Sequence, residues 1–497
     1  MGFLKKHLFL IILLAIGIAA FFRGIFFLDP DFGWHLKMGE LILQKGIPLT
    51  DPFSYTMPSY HFVDHEWLAD IFFNTGYKFI GIYGLALIFA LIFIAALFLA
   101  VPKKLKNYSL LPIALAATVM LGFSGIRTQV ATWFCLALLL KIALDEKIWK
   151  KWRFFVPFLF VVWANLHAGF AVGIALLVLI FIFKSFQKRR IEFWDLVIVI
   201  ISFLATFINP YGIGLWHEVW MVSSDNFARW NIMEWHPGIF DTDFSLLALF
   251  ALSFFLLLYY RAKIPKLWIL AYAFLLLMAV SGLRHIPLWA LSAVFITGEG
   301  ISLLSMEVQK SKEGILRFNL LKKILFVFVF LVFAIEIIIN LLGGYNLSEQ
   351  KFYPVKAVAY LSKQDLSSGN LFTLYDYGGY LIWKLPNKKV FIDGRMPSWR
   401  RTGIFNPNES GYVFKDYLKM LGDENYFKQM LKKYNIHYVL LPVPSVNTQK
   451  ISWVIKFREL VQKLTLFKTN TQVIDSDLTK MNFKEIYNDG QFIVYKI

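Results

Sequence analysis

The chain has 497 residues, 58% of them hydrophobic, with a mean hydropathy of +0.57 and 51 phenylalanines. That exceeds the roughly 45–50% apolar content of soluble domains, which excludes an ordinary soluble globule and points to a polytopic membrane protein. The net charge of +18 does not imply a nucleic-acid partner, because Lys and Arg fall largely in short gaps between apolar runs.

The first apolar run follows Lys5 and Lys6 and passes small residues at Gly17 to Ala20, a signal-peptide pattern. It continues to Leu28, however, long enough to cross a bilayer, and is read as an uncleaved first span. A loop over 28–78 comes next. It gathers Asp29, Asp31 and His35 at one end and Asp64, His65 and Glu66 at the other. Ionisable groups beside a membrane are costly and mark function by default. Asp31, His35 and Gly39 share one face if this stretch is helical, with Trp34, Met38, Leu41 and Ile42 on an adjacent apolar face. Gly46 supplies a stop, and Pro48 and Pro52 keep the chain out of helix. Asp64 is expected to cap a second helix running through Asn74, with Glu66 in its first turn.

About eleven spans are predicted, near 8–28, 79–101, 109–126, 128–144, 154–170, 171–186, 194–209, 244–260, 267–283, 286–304 and 323–342. Every second gap is basic: Lys103, Lys104 and Lys106; Lys147, Lys150, Lys151 and Arg153; Lys184, Lys188, Arg189 and Arg190; Arg261, Lys263 and Lys266; Lys310, Lys312, Arg317, Lys322 and Lys323. This alternation predicts a cytoplasmic N-terminus, with loop 28–78 and the C-terminus outside. The other gaps are short or rich in Trp. They carry Arg127 and Gln129, Asn165 and His167, His217 and Glu218, Arg229, Glu234 and His236, and Arg284 and His285. Arg127 and Arg284 stand against the positive-inside rule. They are read either as snorkelling side chains or as an anion site. Cys135 lies inside an apolar run and is the lone cysteine, so no intrachain disulfide forms.

Residues 345–497 are soluble in style. Helices are predicted over 354–363, 378–385, 412–434 and 451–464, strands over 371–375, 389–393 and 437–442, and a terminal hairpin over 483–497 turning at Asn488-Asp489-Gly490. The expected organisation is a membrane domain over 1–344, including the 28–78 loop, and an extracytoplasmic α/β domain over 345–497. No P-loop, G-x-G-x-x-G or zinc-type Cys spacing is present.

The segments DPDFGWHLKMGELI, PLTDPFSYT and HEWLADIFF look like the first outer loop of C-type membrane glycosyltransferases, the GT-C superfamily. SGIRTQV, WANLHAGF, INPYG, LRHIPLW and YDYGGYLIW with VFIDGR resemble a bacterial branch of it. Its relatives include oligosaccharyltransferases, protein O-mannosyltransferases and aminoarabinose transferases. The resemblance implies a polytopic helical fold with an extracytoplasmic C-terminal domain, and transfer of a sugar from a polyprenyl-phosphate donor to an acceptor by single displacement. It places the acting acid at Asp31 or Asp29, where Asp-Pro-Asp replaces the Asp-Glu pair of mannosyltransferases. His35 would orient that acid or bind substrate. Arg127, Arg284 and His285 are candidates for the lipid phosphate, and Trp34 and Trp67 for stacking on sugar rings. Asp64, His65, Glu66 and His167 are further substrate-binding candidates. A divalent metal (Mg or Mn) on Asp29, Asp31 and His35 is the cofactor option. The partners expected are membrane lipid, the lipid-linked sugar and a glycan, lipid or protein acceptor, in the cell envelope at the plasma or inner membrane.

Other readings stay open. Asp31 could be a helix N-cap, His35 a structural imidazole, Asp64-His65-Glu66 a solvated helix start and His167 a link between helices. Asp393-Gly394-Arg395 reads as a turn with a structural ion pair or the border of an acceptor channel. At the level of function, a lipid or sugar transporter, a metal-dependent membrane hydrolase and a non-catalytic scaffold compete with the transferase.

Overall fold

A computed structural model describes residues 2–238, 243–310, 331–403, 405–443 and 483–497. The chain divides into two compact units. One comprises Met1–Phe27, Ile80–Ile213 and Met233–Asn346; the other comprises Leu28–Phe79, Gly214–Ile232 and Leu347–Ile497. This cuts the chain differently from a single boundary at 344, since the 28–78 loop and a short 214–232 segment join the C-terminal residues.

The first unit is helical. Backbone polar groups have no water to bond in hydrocarbon, so apolar segments fold as helices that satisfy themselves internally. Helices occupy the predicted spans: Gly2–Phe26, Trp67–Leu99, Leu110–Leu121, Gln129–Ala143, Val156–Leu166, Phe170–Lys188, Phe193–Ala205, Phe244–Tyr260, Lys266–Ser281 and Ile286–Val308. For the last predicted span, 323–342, the described helix is Leu331–Asn346 and the earlier residues lie outside the described ones. Among the described residues, four helices are long and apolar enough to cross a membrane by length and composition. Leu283–Val308 has 72% of its apolar window buried against 39% for the other three, so it forms the centre of this unit. Trp268 stacks on its Phe295, with centroids 3.6 Å apart.

Polar contacts join like gaps with like. Among the basic gaps, Lys188 bonds Glu146 at 3.1 Å and Arg153 pairs with Asp195 at 3.2 Å. Among the others, Asn165 donates to the Ile208 carbonyl at 2.8 Å and Arg127 to Glu234 at 2.7 Å. This is the pairing that an alternating path through a bilayer demands.

Among the described residues, the second unit holds a four-stranded sheet in the order β1-β2-β4-β3, with β1 Asn370–Thr373, β2 Ile436–Pro442, β3 Lys484–Asn488 and β4 Phe492–Lys496. β1 runs parallel to β2, and the β3–β4 hairpin closes antiparallel on β2. Its described helices beyond the first loop include Gly214–Ser223, Val355–Leu361, Gly378–Lys384, Val413–Gly422 and Glu424–Lys433. The single helix predicted over 412–434 is two, because the chain turns at Gly422 and Asp423 caps the second helix through Tyr426 N at 3.0 Å. The strand predicted over 389–393 is one parallel bridge, Val390 to Ser54 of the first loop. Tyr55 N donates to the Val390 carbonyl at 3.1 Å, and Thr56 Oγ1 to the Phe391 carbonyl at 2.7 Å. That backbone is satisfied by a loop distant in sequence, which no local pattern foretells. The helix expected over 451–464 lies outside the described residues.

Candidate active site

The first loop builds a helix over Phe32–Lys45, ended by Gly46 at φ 84°. Asp31 occupies the N-cap position just before it, but its side chain makes no capping bond. Asp29 Oδ1 instead accepts from Asp31 N at 2.8 Å, a local turn across Pro30. The Asp31 carboxylate is half-buried, and its Oδ1 accepts the Trp34 indole N–H at 2.9 Å. Burial, then the Asp29 charge, pushes the Asp31 carboxyl up to about 7, against the lowering effects of His35 and the indole N–H.

The second helix of the loop starts at Trp67, later than expected, and runs to Leu99 with a break at Gly81 (φ 63°, ψ −170°). Only glycine adopts that backbone readily. Asp70, not Glu66, is the acid of its first turn. The predicted Asp31–His35–Gly39 face meets this helix. His35 Nδ1 lies 2.5 Å from Asp70 Oδ1, and Nε2 lies 3.8 Å from Glu66 Oε2. Asn74 donates to the Leu36 carbonyl at 2.9 Å. His35 is buried against the Trp34 and Phe73 rings, with centroids 3.8 and 4.9 Å away. Asp64 accepts from Glu66 N at 3.1 Å and is hydrogen-bonded to Asp70. Burial first, then the Asp70 charge, holds the Asp64 carboxyl well above the usual carboxylate range. His65 Nε2 is 3.9 Å from Glu66.

The geometry divides the sequence candidates. Asp29, Asp31, Trp34, His35, Asp64, His65 and Glu66 come together, and Asp70 joins them although its type and position carried no signal. Trp34 is only 4% exposed, so its ring is placed to hold Asp31 rather than to stack on a sugar. His35 fits an orienting imidazole between two carboxylates. In the helical unit, Arg127 and Arg284 both act on Glu234. Burial would raise that carboxyl, but the Arg127 and Arg284 charges hold it below its usual range. The Arg284 guanidinium lies 5.5 Å from the Trp235 ring centre. His285 Nδ1 is 3.2 Å from the Met278 carbonyl. His167 Nδ1 lies 2.9 Å from both the Thr132 hydroxyl and Gly169 N, and Thr132 also accepts the Trp163 N–H, so His167 does link neighbouring helices.

Asp29, Asp31 and His35 do not form a metal cage. Among the described residues no group of three or more His, Cys, Asp or Glu is arranged to hold an ion. Asp29 Oδ1 is turned to backbone, and both His35 nitrogens face other carboxylates.

No protein-family model and no curated protein sequence matches the chain. Among solved structures it is similar to the Archaeoglobus fulgidus oligosaccharyltransferase tethered to an acceptor peptide containing the NVT sequon. That match has 14% identity, 89% of this chain and 70% of that one covered, and a TM-score of 0.53. The apo form of the enzyme gives 15% identity, the same coverage and a TM-score of 0.51. The chain shares the fold of this oligosaccharyltransferase. A structure of ArnT from Cupriavidus metallidurans bound to undecaprenyl phosphate is covered to 98%, as is this chain, at 10% identity and a TM-score of 0.48. The GT-C resemblance read from the loop motifs, and the polytopic helical class with a C-terminal domain, are borne out.

Proposed function

We propose that the chain is an integral-membrane glycosyltransferase that moves a sugar from a polyprenyl-phosphate donor to an acceptor outside the cytoplasm. The observation that carries this reading is the Asp31 carboxylate. It stands at the head of the first loop of a GT-C fold, held on one oxygen by Trp34, with its proton affinity near neutrality. A base works best when its pKa lies near the working pH.

In the reaction, an acceptor hydroxyl or amine gives its proton to Asp31 Oδ2. Its lone pair forms the new bond at the anomeric carbon. The bond from that carbon to the phosphate oxygen breaks, and its electron pair leaves with the polyprenyl phosphate. Asp31 then returns its proton to water. His35, fixed by Asp70 and Glu66, keeps the helix face that carries Asp31 in register. On chemistry alone, Arg127 and Arg284, whose guanidinium groups both act on the Glu234 carboxylate, are the residues suited to a phosphate.

The test is lipid analysis joined to transfer. Protein purified in mild detergent is extracted and its lipids weighed by mass spectrometry, and the Asp31→Asn variant is treated alike. The proposal expects a polyprenyl-phosphate sugar on both, with transfer by the variant reduced about 10²–10⁴-fold. Phospholipid alone, or normal transfer by Asp31→Asn, refutes it.

A further inference from the structure

The Asp393-Gly394-Arg395 turn does more than close a loop. The Arg395 side chain is buried and pairs bidentately with Asp393, Nε to Oδ1 at 2.8 Å and Nη2 to Oδ2 at 2.7 Å. Its Nη1 lies 2.9 Å from Asp51 of the first loop. Phe53, Phe62 and Trp399 surround the guanidinium at 5.0, 5.2 and 5.4 Å. Arg395 N and Met396 N both bond back to Asp393, at 3.1 Å each. The turn is therefore pinned within the unit on both its backbone and its side chains.

Gly394 sits inside this clamp and meets the Asp31 side chain. A Cβ built on Gly394 falls 2.8 Å from Asp31 Cγ and 3.2 Å from Oδ2, and nearer still to Oδ1. The three nearest atoms all belong to Asp31. The backbone of Gly394 is not in the left-handed region, so conformation does not demand glycine there. Space for the carboxylate does. We propose that Gly394 is a positioning residue for Asp31: the missing side chain is the niche in which the Asp31 carboxylate is seated, and the Arg395 clamp makes that niche rigid. Trp34 takes Oδ1, and among the described residues no hydrogen bond reaches Oδ2. The niche and the indole together turn one defined oxygen toward a reacting group, and small misplacements of such a group are costly.

The catalytic meaning rests on Asp31 being the base, while the contact itself does not. Two measurements separate them. The first is a melting cycle on the full-length protein in detergent: wild type, Gly394→Ala, Asp31→Ala and the double variant. The niche predicts that Gly394→Ala lowers the melting temperature and that Asp31→Ala recovers most of the loss. An equal loss in both backgrounds overturns the niche, and this reading survives a poorly folded single variant. The second is the pH profile of transfer. Gly394→Ala is expected to lose at least tenfold in kcat with little change in donor KM, and to displace the midpoint of the profile. An unchanged kcat and midpoint overturn the positioning role. Normal transfer by Asp31→Asn together with the expected melting cycle defeats the base assignment, not the contact. Inactive Asp31→Asn without the cycle defeats the niche alone.

Discussion

Asp31 is pushed up by burial and by Asp29, and drawn down by His35 and by one hydrogen bond from Trp34. With the carboxyl near 7, the ionised and therefore basic form accumulates as pH rises. Transfer should climb through a midpoint near pH 7 and level off above it, and one unit below the midpoint only roughly a tenth of the groups are ionised. A pH profile of kcat with substrate saturating measures this; a flat profile between pH 6 and 8 would remove Asp31 as the base. Trp34→Phe keeps the ring and deletes the donor. A bond to a charged acceptor is worth about 1.5–3 kcal/mol, so the midpoint should move upward by about one unit or more. The indole role was hidden in the sequence. Trp34 falls on the apolar face of its helix, and periodicity says which way a side chain points but not what its polar tip will find.

At the scale of elements, local signals were reliable where the physics is local. Gly46 ends the first-loop helix as its position suggested, and the terminal hairpin forms over Lys484–Asn488 and Phe492–Lys496. The errors came where two local signals competed or a partner was remote. Within 412–434 the amphipathic period is continuous, yet Gly422 and the capping Asp423 divide it. Asp423→Ala should cost about 1 kcal/mol and raise hydrogen exchange at the start of Glu424–Lys433. Protection equal to wild type would mean the cap adds nothing. Arg395 makes the stronger test of remote contact. Arg395→Met leaves Asp51 and Asp393 buried without their cation, which should destabilise this unit by about 3–5 kcal/mol. Adding Asp51→Asn and Asp393→Asn should restore part of it. A melting curve unchanged by Arg395→Met would show that the clamp is not what pins the turn.

For the whole molecule, the alternation of basic gaps was the informative pattern, and contacts within the helical unit agree with it by pairing basic gaps with each other. The proposed orientation has the N-terminus in the cytoplasm and loop 28–78 and residues 345–497 outside. Single cysteines placed at Ser59 and Lys415 in a Cys135→Ser background should react with an impermeant maleimide on intact cells. Reaction of either only after permeabilisation reverses the orientation.

By itself the sequence determined the class, the approximate spans and the loop that holds the acids. These follow from composition and period, because a helix in hydrocarbon satisfies its own backbone and needs no partner to be recognised. It also put Asp31 and His35 one turn apart. Only the tertiary structure decided that His35 belongs to Asp70 and Glu66, that Trp34 holds Asp31, and that a glycine of the C-terminal turn makes room for its carboxylate. Those are contacts between segments far apart in the chain. They depend on which faces meet and how closely, and one sequence records the faces without recording their meeting.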